Sequence, residues 1–169
     1  SLNVLAFELY PDLVLWPEAA LPNYMRVSSS RKRYEKIVVD RSIPLLMGTL
    51  DFKSIDGERR SLNGSIYFDG SDKNEMYHKL FLVPFAEYIP MSSRFPILKK
   101  LNFGQGNFVH GKEYTLFKLD SLLFSNLICY DLSNPLIVKN FIKEGARFLT
   151  VQANIAWLQN SSGVRQFFE

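Results

Sequence analysis

Ser125-Asn126-Leu127-Ile128-Cys129-Tyr130-Asp131-Leu132-Ser133-Asn134-Pro135 is the stretch from which the fold is read most directly. Its first half extends an apolar run that begins at Leu122, and a short apolar run bounded by turn residues reads as a buried strand. Its second half opens a helix, with Ser133 or Asn134 as N-cap, Pro135 in the first turn and Gly145 as the stop. Cys129 thus ends a buried strand just before a capped helix. Backbone N–H groups at such a junction lower a thiol's pKa and bind an oxyanion, which is the geometry of a nucleophile elbow.

Working outward, Tyr114-Thr115-Leu116-Phe117 reaches that strand through Asp120-Ser121, a hairpin turn. Ser65 to Phe68 and Glu75 to Tyr77 flank Asp69-Gly70-Ser71-Asp72 and form a second hairpin. Phe148 to Gln152 is a further short strand, and a helix starts from Gly163. Towards the N-terminus, Pro44 to Phe52 is a buried strand. Ser28 to Asp40 is a helix with Tyr34, Ile37 and Val38 on its buried face. Leu13-Val14-Leu15-Trp16 is a buried strand stopped by Pro17. Strands mixed with helices, two of the pairs antiparallel, make the class α/β with a mixed sheet.

Composition sets the bounds. The 169 residues suit one ordinary domain, and no repeat or Pro/Gly/Ser-rich linker divides them. With 22% charged and 47% hydrophobic residues the usage is globular, and one cysteine excludes a disulfide scaffold. Twenty basic and 17 acidic residues leave +3, with no basic stripe, so nucleic acid is not an expected partner. No apolar run reaches the roughly 18 residues of a spanning helix, and Ser1-Leu2-Asn3 carries no charged signal-peptide start. His78 and His110 lack partners at metal-ligand spacing, so no metal site is expected.

Three residues carry candidate chemistry. Glu18 stands between apolar residues and two prolines in Leu15-Trp16-Pro17-Glu18-Ala19-Ala20-Leu21-Pro22, stiffly held and partly desolvated, a setting that suits a general base. Lys79 is the charge inside Leu80-Phe81-Leu82-Val83-Pro84-Phe85 and the preceding Tyr77-His78, and its compact ammonium suits a developing oxyanion. Cys129 is the nucleophile at the elbow. Each has a plainer reading alone: a solvated loop carboxylate, an edge-strand lysine guarding against aggregation, an inert buried thiol.

Together they read differently. Glu18, Lys79 and Cys129, in that order and each at the end of a strand-like run, resemble the catalytic triad of the nitrilase, or carbon–nitrogen hydrolase, superfamily. The flanking words narrow the resemblance to the apolipoprotein N-acyltransferase family. They are Asp12-Leu13-Val14-Leu15-Trp16-Pro17-Glu18, then Tyr77-His78-Lys79 with Leu82-Val83-Pro84-Phe85-Ala86-Glu87-Tyr88-Ile89-Pro90, then Ile128-Cys129-Tyr130-Asp131. A fourth block runs from Gly145-Ala146 through Asn154-Ile155-Ala156-Trp157 to Ser162-Gly163 and Gln166. The lysine motif with its Leu-Val-Pro-Phe extension separates this family from soluble amidases of the superfamily.

The resemblance implies a nitrilase-like α-β-β-α sandwich with mixed sheets over residues 1–169, and an acyl transfer without cofactor. The donor is a membrane phospholipid and the acceptor the α-amine of a diacylglyceryl-cysteine at a lipoprotein N-terminus. By position, Glu18 is the base in both half-reactions and Cys129 forms the thioester. Lys79 and the backbone N–H of Tyr130 stabilise the oxyanion, roughly 3–4 kcal/mol per donor. Glu87 orients Lys79 or the base, and Asp131 stands beside the nucleophile as a supporting carboxylate. The site belongs at the bacterial inner membrane, on its periplasmic side. The segment Phe95-Pro96-Ile97-Leu98-Lys99-Lys100-Leu101-Asn102-Phe103 resembles a mobile arm over the site, and its apolar residues with adjacent lysines suit a membrane surface; an amphipathic turn packed on the sheet fits it equally.

Departures from the pattern are expected to matter. Asp131 stands where the family usually has Glu, Ile155 where it has Asp, and Phe167 where it has His. A diverged but active enzyme fits these changes; so does a remnant that keeps the fold without turnover. Leu2 to Leu9 resembles the end of a first helix and Gln166-Phe167-Phe168-Glu169 the start of a later one. The chain is therefore expected to be a fragment, incomplete at both ends, with exposed sheet edges.

Overall fold

The computed structural model of the chain describes residues 2–91, 94 and 108–154. Its largest element is a hairpin of β3 (Leu45–Ile55) and β4 (Glu58–Phe68), paired from Leu45↔Phe68 to Ile55↔Glu58. It turns at Asp56-Gly57, whose φ values of 53° and 77° are those of a two-residue type I′ turn. Sequence reading ends the first strand at Phe52 and begins the next at Ser65. The extra length is built from charged and small residues, Glu58-Arg59-Arg60-Ser61-Leu62-Asn63-Gly64, which favour strands weakly. Cross-strand pairing to β3, and not local propensity, extends them.

Two short strands, β1 (Val14–Leu15) and β2 (Leu21–Tyr24), run parallel to β3, and β5 (Glu75–His78) pairs antiparallel with β4. The first sheet therefore has the order β1-β3-β4-β5, with β2 beside β3. A second sheet follows, β6-β7-β8, in which β6 (Phe117–Leu119) is antiparallel to β7 (Leu122–Ile128) and β8 (Phe148–Gln152) parallel to it. Both sheets are mixed, as expected. The run at Leu13–Trp16 is only half buried: Val14 faces the core and Leu15 is exposed.

Helices lie over these sheets. α1 (Leu2–Glu8) and α2 (Arg31–Arg41) bury Phe7 and Val38 in one core with Leu45, Met47, Ile66 and Phe68 of the first sheet. α2 begins at Arg31 and not at Ser28. The Ser28 hydroxyl accepts the Ser30 N–H at 3.2 Å, a local bond that competes with the helix. α3 (Pro135–Lys143) buries Ile137 and Phe141 in a second core with Tyr67, Tyr77, Phe124 and Ile128. This core joins the inner faces of the two sheets, and the order of layers is the α-β-β-α sandwich. Of the two cap candidates Asn134 is the one used, its Oδ1 accepting the Leu136 N–H at 3.1 Å. Among the described residues no helix is long and apolar enough to cross a membrane.

Candidate active site

Glu18 is delivered by β1. Trp16 N–H bonds Leu46 C=O at 2.9 Å, the chain then leaves the sheet at Pro17, and Ala19 takes a φ of 50°. This turn lies flat on β3 at Gly48. A Cβ on Gly48 would stand 2.7 Å from Ala19 N and 2.8 Å from Glu18 Cα, closer than atoms tolerate. Only glycine lets the turn sit there, and it leaves Glu18 7% exposed, not the solvated loop residue of the plainer reading.

Lys79 follows β5. Its N–H donates to Asn63 C=O at 2.9 Å and its C=O accepts the Gly111 N–H at 2.8 Å, so the backbone is held from both sides. The side chain is 1% exposed, which excludes the edge-strand reading. Its Nζ lies 2.9 Å from Glu87 Oε1 and 3.5 Å from Glu18 Oε1. Glu87 closes a small loop on itself, its N–H bonding Val83 C=O at 2.9 Å while its Oε2 accepts the Val83 N–H at 2.8 Å. One ammonium thus faces two carboxylates. Neutral donors add to this: Asn63 Nδ2 reaches the same Glu18 Oε1 at 2.8 Å and Glu87 Oε1 at 3.3 Å, and Asn154 N–H reaches Glu18 Oε2 at 3.0 Å.

Cys129 directly follows β7 at a φ of 49°, in the left-handed region that side chains rarely adopt. The elbow is therefore present, but a short 3-10 turn over Cys129–Ser133 intervenes before α3. Asp131 holds that turn. Fully buried, it accepts Ile128 N–H at 3.0 Å and Tyr77 O–H at 2.8 Å on Oδ2, and Leu80 N–H at 3.1 Å and Phe81 N–H at 2.7 Å on Oδ1. The shorter carboxylate still reaches the lysine loop, and it ties that loop to the elbow. Tyr130 stacks its ring on Phe81 with centroids 5.2 Å apart and 7° between planes.

The charges act on one another. Burial pushes the Cys129 thiol up to about 11, and Glu18 adds to the rise; Lys79 and the Tyr130 N–H oppose it without prevailing. The sequence expectation of a lowered thiol is corrected here. Desolvation and a nearby carboxylate outweigh the backbone donors at the elbow. Burial alone would lower Lys79, but Glu18 and then Glu87 hold its pKa above the ordinary lysine value. Burial also raises Asp131, against the donors from Ile128, Tyr77 and Phe81.

Glu18, Lys79, Glu87, Cys129, Tyr130 and Asp131 are thus gathered at one place. Sequence reading missed Asn63, which bridges the two carboxylates. It also missed the buried pair Asn126 and Gln152. Asn126 Nδ2 donates to Gln152 Oε1 at 2.9 Å, and Gln152 Nε2 donates to Trp16 C=O at 2.5 Å. That bond fixes β8 to the strand that delivers Glu18. The available signal was a polar side chain within an otherwise apolar strand, at Asn126 and again at Gln152. The arm at 95–103, and Ile155, Trp157, Gln166 and Phe167, lie outside the described residues.

Comparison with known proteins agrees with this geometry. The carbon-nitrogen hydrolase family model matches residues 5–167. The chain is 30% identical to an apolipoprotein N-acyltransferase of Chlorobaculum tepidum over 90% of its own length, and 31% identical to one of Aquifex aeolicus over 95%. It spans about a third of those relatives, 33% and 35% of their lengths. Among solved structures, a nitrilase-superfamily member of branch 10 from Saccharomyces cerevisiae superposes with a TM-score of 0.63 at 17% identity, over 94% of this chain and 58% of that one. A carbon-nitrogen hydrolase from Helicobacter pylori gives 0.65 at 14% identity, over 98% of this chain and 57% of that one. The Glu18–Lys79–Glu87 cluster at a cysteine elbow on this sandwich, and the family match across nearly the whole sequence, lead to one conclusion: the chain belongs to the carbon-nitrogen hydrolase family.

Proposed function

We propose that this chain carries the acyl-transfer site of an apolipoprotein N-acyltransferase, at the bacterial inner membrane and facing the periplasm. The single observation that carries the reading is the placement of Lys79 between Glu18 and Glu87, with Glu18 and Lys79 both acting electrostatically on the Cys129 thiol. The similarity to named N-acyltransferases over nine-tenths of the chain supports acyl transfer over hydrolysis.

A thiol raised to about 11 is protonated at neutral pH, so it needs a base at the moment of attack. Glu18 takes the thiol proton as the sulfur attacks the phospholipid ester carbonyl. Lys79 and the Tyr130 N–H stabilise the resulting oxyanion. Collapse breaks the ester C–O bond, and the departing lysophospholipid oxygen recovers the proton from Glu18. In the second half Glu18 takes a proton from the lipoprotein α-amine as it attacks the thioester, and returns it to the leaving sulfur. Glu87 and Asn63 do not touch the reacting atoms. They position Lys79 and Glu18, while Asp131 fixes the elbow.

The test uses the full protein that carries this chain. Incubated with phospholipid and no acceptor, it gains the mass of one acyl group at Cys129, and Cys129→Ala gains none. Glu18→Gln abolishes the gain. An adduct that persists in Cys129→Ala, or its absence in the unaltered protein, sinks the proposal.

A further inference from the structure

The β3–β4 hairpin continues beyond the site and carries a cation that the chemistry above does not use. In the ladder Leu50 faces Asn63, Phe52 faces Ser61 and Ser54 faces Arg59. Alternate residues share a face, so Asn63, Ser61 and Arg59 form one row that starts at the Glu18–Glu87 cluster and runs towards the hairpin tip. Arg59 lies four residues from Asn63, about 13 Å along the strand.

Its setting is specific. The guanidinium carbon sits 3.7 Å from the Phe52 ring centroid and 4.1 Å from that of Tyr24. The two rings meet edge to face at 5.4 Å, and Tyr24 O–H is fixed 2.9 Å from Ser61 Oγ. Neighbouring arginines are neutralised: Arg26 clamps both oxygens of Asp51 at 2.6 Å, and Arg60 meets Glu58 at 2.6 Å. Arg59 is exposed and has neither a carboxylate nor a hydrogen-bond acceptor among the described residues. Two aromatic platforms hold the cation in place, and its N–H edges are left for a ligand. A guanidinium fork so presented matches a phosphate oxygen pair.

We propose that Arg59, seated on Tyr24 and Phe52, binds the phosphate of the acyl donor while the donor's ester lies at Cys129. The proposal rests on the acyl-transfer reading and adds where the headgroup goes. The guanidinium lies over Phe52, the ladder partner of Ser61, and is thus folded back along the row towards the cluster. The acceptor described above has no phosphate, so the subsite serves the first half-reaction.

Binding separates this idea from turnover. The full protein as Cys129→Ala is titrated with dihexanoyl-phosphatidylglycerol and, separately, with dihexanoylglycerol, which lacks the phosphate. Arg59→Gln is expected to weaken the phospholipid about tenfold, the scale of hydrogen bonds to a charged group, and to leave the neutral lipid unchanged. Arg59→Lys keeps the charge without the fork and falls between. Equal loss for both lipids, or for neither, overturns the proposal. A missing acyl adduct in the unaltered protein would instead overturn the acyl-transfer reading, and the difference between the two lipids would still report on Arg59.

Discussion

The two halves of the site are secured by opposite means. On the first sheet Glu18, Lys79 and Glu87 hold one another through charge, with Asn63 sharing the oxygens that face Lys79 and two backbone N–H groups serving the other two. On the second sheet Cys129 has no such company. Its backbone is held in a left-handed conformation by one buried carboxylate, Asp131, which collects three backbone N–H groups and a phenol. The charged half is a balance, so changing one member changes the demand on the rest. The elbow is a fixed shape, and what matters there is the number of donors satisfied. The proposed acyl transfer uses both kinds: charges that respond to the reaction and a thiol that does not shift.

The largest effect expected from this contrast is on the elbow. Asp131→Ala leaves three backbone N–H groups and the Tyr77 hydroxyl without their acceptor in a fully buried position. The loss should be about 5 kcal/mol of unfolding free energy, since each orphaned donor costs about 1–3 kcal/mol. Denaturant unfolding measures it. A loss under about 2 kcal/mol would show that the turn is held by packing, such as the Phe81–Tyr130 stack, and the contrast would fail.

Next in size is Lys79→Met. It removes the ammonium that faces one buried and one partly buried carboxylate, and breaking a buried ion pair on one side costs about 3–5 kcal/mol. Because the cluster is a balance, a second change should restore part of the loss. Lys79→Met with Glu87→Gln is expected to be more stable than the two single losses added together, a coupling read from a double-mutant cycle. Strict additivity would mean that the charges do not depend on one another. Neither variant should form the acyl adduct.

The same contrast explains what was legible in the sequence. The elbow could be read locally, because an apolar strand, a capping residue and Pro135 stand in one continuous stretch. So could the lysine loop and Glu18, through their apolar flanks and prolines. Asn63 could not, because it lies in a strand built from weak strand formers. Asp56-Gly57, a strong signal for a two-residue hairpin, was the clue that would have extended β4 to include it. The bonds from Asn154 and Gln152 to the Glu18 strand join residues 136 positions apart, and no local pattern encodes them. Direction of pKa was the last thing hidden. The elbow's donors argue for a lowered thiol, and only the arrival of Glu18 from a distant strand, together with burial, reverses the sign.

That reversal supports the smallest and most discriminating prediction. With no substrate present, alkylation of Cys129 by iodoacetamide follows the thiolate fraction. Its rate should be low at pH 7 and climb about tenfold per pH unit until it levels near the thiol's value of about 11. Glu18→Gln removes a negative charge that raises this value, so the midpoint should move down and alkylation at pH 8 should become several-fold faster. The same substitution abolishes acyl labelling if Glu18 is the base. One change therefore makes the sulfur more reactive to a small electrophile and inert towards phospholipid. An unchanged midpoint would separate Glu18 from the thiol and leave the charged half without its link to the elbow. A downward shift with acyl labelling intact would keep the electrostatic link and remove Glu18 from the role of base.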